Sequence, residues 1–206
     1  MPAVVSMFLR SRLHNGPVRP LLSRHNLGMT NCLVPDNLGL MVREFSAGGV
    51  VVRWVNEKWQ VAVIEPPKEG TAASSVTSRQ KKAQKMLLAL PKGLVDAGEK
   101  PEQTAIREVK EETGLETRPI AKLGDTKYVY VRSWGDKERV FKIVSFYLLR
   151  YEAGTIDDIT EAMRVEVKRA LWIPLEEAAR RLAYGGEKDM ARRAEEYLRE
   201  HPDCGK

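Results

Sequence analysis

Residues Gly93 to Leu115 constrain this chain more than any other stretch. They read Gly-Leu-Val-Asp-Ala-Gly-Glu-Lys-Pro-Glu-Gln-Thr-Ala-Ile-Arg-Glu-Val-Lys-Glu-Glu-Thr-Gly-Leu. The first part is a loop with two glycines and a Glu. A short helix follows, entered near Pro101 and stopped at Gly114, where a missing Cβ permits a left-handed cap. At about 100° per residue, Glu108, Glu111 and Glu112 share an arc of roughly 100°. Ile106, Val109 and Thr113 point to another side, suited to a core. Arg107 precedes Glu111 by one turn and can pair with it. Three carboxylates on one arc repel each other, and a hard divalent cation, which takes oxygen ligands, removes that conflict.

The spacing is Gly, five residues, Glu, seven residues, Arg-Glu, aliphatic, any, Glu-Glu, any, Gly, aliphatic. In a chain this long a chance match is about one in ten million at average residue usage. The pattern resembles the signature of the Nudix hydrolases, with Gly93, Glu99, Arg107, Glu108, Val109, Glu111, Glu112, Gly114 and Leu115 in its fixed places. The resemblance covers roughly residues 43 to 200. It implies an α/β fold, an α/β/α sandwich on a mixed β-sheet. It also implies hydrolysis of a nucleoside diphosphate linked to another group, using water and Mg²⁺ or Mn²⁺. Residue by residue, it implies Glu108, Glu111 and Glu112 as metal ligands, one of them a candidate general base. The Gly93 region offers a backbone carbonyl to the metal. Arg107 and Glu99 orient the cluster through ion pairs. Glu166, before Arg169-Ala170-Leu171-Trp172, matches where similar diadenosine polyphosphate hydrolases place a further Glu, with Glu161 as its competitor.

Composition narrows the alternatives. A length of 206 residues suits one domain with an extension. No apolar run approaches the ~18 residues of a membrane span. The net charge of +6 suits an anionic substrate such as a polyphosphate. Cys32 and Cys204 lie near opposite ends and read as free thiols in a reducing, cytoplasmic compartment. The three histidines, His14, His25 and His201, fall outside the expected core. That argues against a Ser-His-Asp triad or a histidine-ligated zinc.

Before the motif, residues 1–40 carry Arg10, Arg12, Arg19 and Arg24, and no acid before Asp36. With Pro2, Pro17, Pro20 and Pro35 they read as a disordered basic extension. A transit peptide or an upstream start, with Met41 as the natural beginning, are the alternatives. Residues 41–206 form the Nudix-like domain. Ser46–Val55 and Trp59–Ile64 predict a hairpin across Asn56-Glu57-Lys58. Residues 66–85 form a loop insertion with Lys68, Arg79, Lys81, Lys82 and Lys85 against Glu69. That loop is either a surface insertion or a basic flap that attracts phosphates. Met86–Leu90 predicts a short buried strand. Lys127–Arg132 and Arg139–Leu149 predict a second hairpin, with Trp134 in its turn. Ala170–Ile173 predicts one more strand. Helices are expected over about 175–200, the first ended by Gly185-Gly186.

Substrate signals are finer. Leu90-Pro91-Lys92-Gly93, the Phe141–Leu148 strand and Leu171-Trp172-Ile173-Pro174 resemble the diadenosine polyphosphate hydrolases and the related diphosphoinositol polyphosphate enzymes. Tyr130 is a candidate base-stacking residue, and Lys92 and Lys142 are candidate phosphate contacts. The leading expectation is hydrolysis of a dinucleoside polyphosphate such as diadenosine tetraphosphate. A pyrophosphatase sanitising oxidised nucleoside triphosphates is the second. A non-catalytic Nudix binding module is a third, disfavoured because every box glutamate is kept. No motif supports sequence-specific nucleic-acid binding. A monomer and a homodimer are equally compatible with the sequence.

Overall fold

The computed structural model describes residues 42–67, 86–132 and 138–204. Its elements are β1 (Val42–Val55), β2 (Lys58–Glu65), β3 (Lys92–Leu94), α1 (Pro101–Thr113), β4 (Leu115–Val131), β5 (Arg139–Gly154), β6 (Arg169–Pro174), α2 (Leu175–Arg181) and α3 (Gly185–Glu200). The sheet runs β4-β5-β1-β2-β6, with β3 on β1 beside the end of β2. β1 and β5 are parallel, from Val42↔Val140 to Val52↔Arg150, and the other pairings are antiparallel. The fold is the expected α/β sandwich on a mixed sheet.

β1 explains the layering. Its first residues alternate in exposure, then Ser46 to Val52 are all buried. A central strand covered on both faces loses the alternating pattern and becomes a continuous apolar run. Val50 and Val52 join Val144, Phe146, Leu148, Met190 and Leu198 in a core under α2 and α3. Val51 joins Val109, Leu115 and Leu149 in a core under α1. The β1–β2 connection is a two-residue turn, Asn56 and Glu57, with φ of 50° and 61°. That left-handed pair matches the right-handed twist of the strands it joins.

Three expectations are corrected. Met86–Leu90 is not a strand: Ala89 exchanges bonds with Ile64, Leu88 bridges Leu182, and no ladder continues. Leu88 and Leu90 are apolar because their side chains fill the core, and Pro91, which lacks an N–H, offers only its carbonyl, to the Gly49 N–H at 3.1 Å. The strand at this place is Lys92–Leu94, against Ser46–Gly48. Gly185 and Gly186 open α3 and do not close α2, which ends at Arg181 where Leu182 turns extended. β4 begins at Leu115, well before Lys127, and irregular pairing near Glu116, Pro119 and Lys122 hides its alternation. The basic loop from Lys68 to Lys85 and Trp134 lie outside the described residues. Among the described residues no helix is long and apolar enough to cross a membrane.

Candidate active site

α1 is built to hold carboxylates against the sheet. Pro101 opens it, and the Lys100 N–H donates to the Gln103 side chain at 3.0 Å. Gly114 closes it at φ 78°. A side chain there would be strained, and its Cβ would lie 2.5 Å from the Asp158 carbonyl oxygen. That contact docks the loop running to β6 against the helix end, and the Asp157 N–H donates to Thr113 O at 2.9 Å. Arg164 pins the same loop, reaching Asp157 Oδ1 at 2.8 Å and Asp157 O at 2.7 Å. Glu166 follows a single 3-10 turn in this loop.

The structure brings together Glu99, Arg107, Glu108, Glu111 and Glu112. Arg107 grips Glu99 with both prongs, Nε to Oε1 at 3.1 Å and Nη2 to Oε2 at 2.9 Å. Its Nη1 donates to Glu108 Oε1 at 2.6 Å and to Glu111 Oε2 at 3.3 Å. Thr104 Oγ1 donates to Glu99 Oε2 at 2.6 Å. The Arg107 guanidinium, helped by the Thr104 hydroxyl, holds the Glu99 carboxyl down at about 2 against the opposing effect of burial.

Glu108 and Glu112 stand in the opposite regime. They are 9% and 7% exposed, unusual for carboxylates unless something compensates them. Burial raises the Glu112 carboxyl to about 8, with Glu108 and Glu166 adding repulsion and Lys92 opposing. Burial also raises Glu108, and Glu111 and Glu166 add to it against Arg107. Glu166 thus lies within electrostatic reach of the cluster, whereas Glu161 is exposed and acts on Arg164. Gly93 matters for space: a Cβ there would overlap the Glu108 carboxyl, so glycine lets that side chain lie on β3.

Lys92 sits at the junction. Its backbone N–H donates to Glu112 Oε2 at 2.9 Å, and its ammonium lies 2.8 Å from Glu187 Oε1. Burial works against the ammonium, but the Glu187 carboxylate outweighs it and raises the proton affinity. Lys142 lies on β5, across β1 from β3, its ammonium lowered by burial and by Lys92, with Glu44 and Glu108 opposing. Glu44 is 3.8 Å from Lys142, accepts from Arg132 Nη2 at 2.6 Å, and accepts from the Tyr130 hydroxyl at 2.9 Å. The Tyr130 hydroxyl is thus committed to Glu44. Its neighbour Tyr128, ring centroid 6.3 Å away, is more open.

Glu44 and Glu187 were missed in the sequence. Glu44 meets Tyr130 across 86 positions, and Glu187 meets the Leu90 N–H across 97. No spacing rule reaches that far. The described histidine, His201, stacks on Tyr197 at the end of α3 and takes no part.

The donor set around Glu112 is oxygen only, which suits Mg²⁺ or Mn²⁺ over softer metals. Glu108, Glu111, Glu112 and Glu166 would hold such an ion. The raised proton affinity of Glu108 and Glu112 comes chiefly from burial, with neighbouring carboxylates adding to it, and a bound cation would offset both. Among the described residues no three such groups converge on one point as a finished site. Arg107 and the Lys92 N–H occupy one oxygen each of Glu108 and Glu112, and neither contact takes both oxygens of its carboxylate.

A Mycobacterium tuberculosis protein named as a candidate mutator protein, MutT4, is 37% identical over 157 residues, 76% of this chain. The matched part is 56% of that relative's length. The backbone resembles a Caenorhabditis elegans (C. elegans) Ap4A hydrolase in binary complex, with TM-score 0.52 and 21% identity over 76% of this chain and 98% of the other. It also resembles the NUDIX domain of Shewanella oneidensis NrtR complexed with ADP ribose, with TM-score 0.50 and 15% identity over 81% and 94%. At such identities these two likenesses speak for the fold alone. The NUDIX domain model matches residues 58–195, spanning the carboxylate helix, both lysines and most of α3, and the chain belongs to the NUDIX domain family.

Proposed function

We propose that this chain is a metal-dependent pyrophosphohydrolase that cleaves a phosphoanhydride bond in a nucleoside diphosphate-linked substrate. A dinucleoside polyphosphate such as diadenosine tetraphosphate is the leading substrate. The observation that carries this reading is the packing of Glu108 and Glu112 against β3, where the Lys92 N–H donates to Glu112 Oε2 at 2.9 Å and Gly93 leaves room for the Glu108 carboxyl, with the Lys92 ammonium on the same strand and Lys142 within electrostatic reach. Acids that attract a cation adjoin two cations that attract phosphate oxygens.

A bound Mg²⁺ supplies charge neutralisation on the polyphosphate and acidifies an attacking water. The chain's own residues do the rest. Lys92 and Lys142 hold phosphate oxygens and orient the scissile anhydride. Glu108 or Glu112, its proton affinity brought down by the cation it would hold, is the candidate to accept the water proton. The water oxygen bonds to phosphorus, the bridging P–O bond breaks, and the leaving phosphate departs with the electron pair. Arg107, fixed by Glu99, keeps Glu108 and Glu111 in register. Tyr128 and Tyr130 border this region and offer ring surface to a base. No covalent nucleophile is required.

The second reading is a nucleoside triphosphate pyrophosphatase that removes oxidised nucleotides. The identity with the candidate mutator protein favours it. Products decide between the two. With Mg²⁺, the first reading expects ATP and AMP from diadenosine tetraphosphate. The second expects pyrophosphate and a monophosphate from an oxidised triphosphate. Full activity after metal chelation would overturn both.

A further inference from the structure

We propose that Glu187, in the first turn of α3, is a positioning residue that sets where the Lys92 ammonium stands beside the carboxylate cluster. The inference deepens the proposed function and rests on Lys92 contacting substrate phosphate. Glu187 is 3% exposed, unusual for a carboxylate that does not hold a partner. Its Oε2 accepts the Leu90 N–H at 3.0 Å, two residues before Lys92. Its Oε1 lies 2.8 Å from Lys92 Nζ. Lys92 Nζ also lies 3.4 Å from Leu90 O and 5.7 Å from the centre of the Tyr184 ring, on the residue preceding α3.

Two carboxylates bid for one ammonium. Lys92 gives its backbone N–H to Glu112, and its side chain goes to Glu187. With Glu187 in place, the ammonium is drawn towards α3 and away from Glu112, leaving that carboxylate to its own role. The side chain keeps 24% exposure, so an entering phosphate meets a charge held at one address. Without the Glu187 charge the ammonium is no longer held at that address. Phosphate then loses its cation, although α3 itself is unchanged.

The test is a double-mutant cycle on the full chain with Glu187→Gln, Lys92→Met and both. Gln keeps an oxygen for the Leu90 N–H and removes only the charge. Glu187→Gln is expected to raise KM for the hydrolysed polyphosphate, and Kd for a methylene-bridged non-hydrolysable analogue, about tenfold. Its kcat should stay close to wild type, while its melting temperature falls because one partner of a buried ion pair is gone. Lys92→Met should cost a similar factor, and the double variant no more than either single one. An unchanged KM and Kd in Glu187→Gln, or losses that multiply in the double variant, overturns the inference while leaving the proposed function standing. A wild-type chain that neither binds nor hydrolyses any polyphosphate overturns both. Should Glu187→Gln fail to fold, Glu187→Asp keeps the charge but retreats from Lys92, and about a threefold rise in the same Kd is expected.

Discussion

Glu99 and Glu112 lie on or beside the same helix and are pushed in opposite directions. Glu99 meets a guanidinium and a hydroxyl, and its carboxyl is held at about 2 against an ordinary 4.5. A carboxylate with a lowered folded pKa contributes stability that is present above its unfolded value and lost as pH falls through the folded one. Glu99→Gln is therefore expected to melt lower than wild type at neutral pH. It should also lose less of its melting temperature between about pH 4.5 and about 2, as followed by circular dichroism. Glu112 is the reverse, a carboxylate raised to about 8 chiefly by burial. Glu112→Gln keeps an acceptor for the Lys92 N–H and removes the ionisable group. It is expected to melt no lower than wild type in metal-free buffer, while kcat falls on the order of a thousandfold. A melting temperature well below wild type would show Glu112 to be structural. These residues were legible because helical spacing places Arg107, Glu108, Glu111 and Glu112 together without knowledge of the fold. Glu44 and Glu187 were not, because their partners are assembled by the sheet and by α3.

At the scale of elements, the helix and strands with a clean period were legible and the irregular ones were not. α1 starts at Pro101 and is capped at Gly114 as its sequence predicts. β4 was seen only from Lys127, because the residues before it pair with shifted register. The apolar run Met86–Leu90 satisfies a strand pattern, yet its side chains serve a core and its backbone makes isolated bridges. Glycines show how the same residue carries different signals. Gly114 combines φ 78° with an approach to Asp158, whereas a Cβ at Gly185 would meet nothing within 4 Å. Gly114→Ala is expected to cost about 2 kcal/mol or more and to loosen the loop carrying Glu166. Gly185→Ala, in the first turn of α3, should shift stability by no more than about 0.5 kcal/mol. Denaturant unfolding of the two variants measures both. Equal losses would mean that the Gly114 approach is not a constraint.

The whole molecule carries +6 charges, and the stretch from Lys68 to Lys85 concentrates Lys68, Arg79, Lys81, Lys82 and Lys85 against Glu69. A polyphosphate approaching such a protein is attracted over distances set by the Debye length, about 10 Å at 0.1 M salt. The site itself is a mixture, acids on α1 beside Lys92 and Lys142, so its local field favours a metal–polyphosphate complex over either ion alone. Long-range attraction is therefore the business of the surrounding basic residues. KM for a polyphosphate should rise with added salt, because screened attraction slows encounter more than it alters chemistry. Replacing Lys81, Lys82 and Lys85 by alanine should raise KM at low salt and flatten that salt dependence, with kcat little changed. Steady-state kinetics across a salt series at fixed Mg²⁺ measures it. If the triple variant keeps the wild-type KM and salt slope, the basic stretch contributes no steering. The attraction then belongs to the two lysines beside the glutamates.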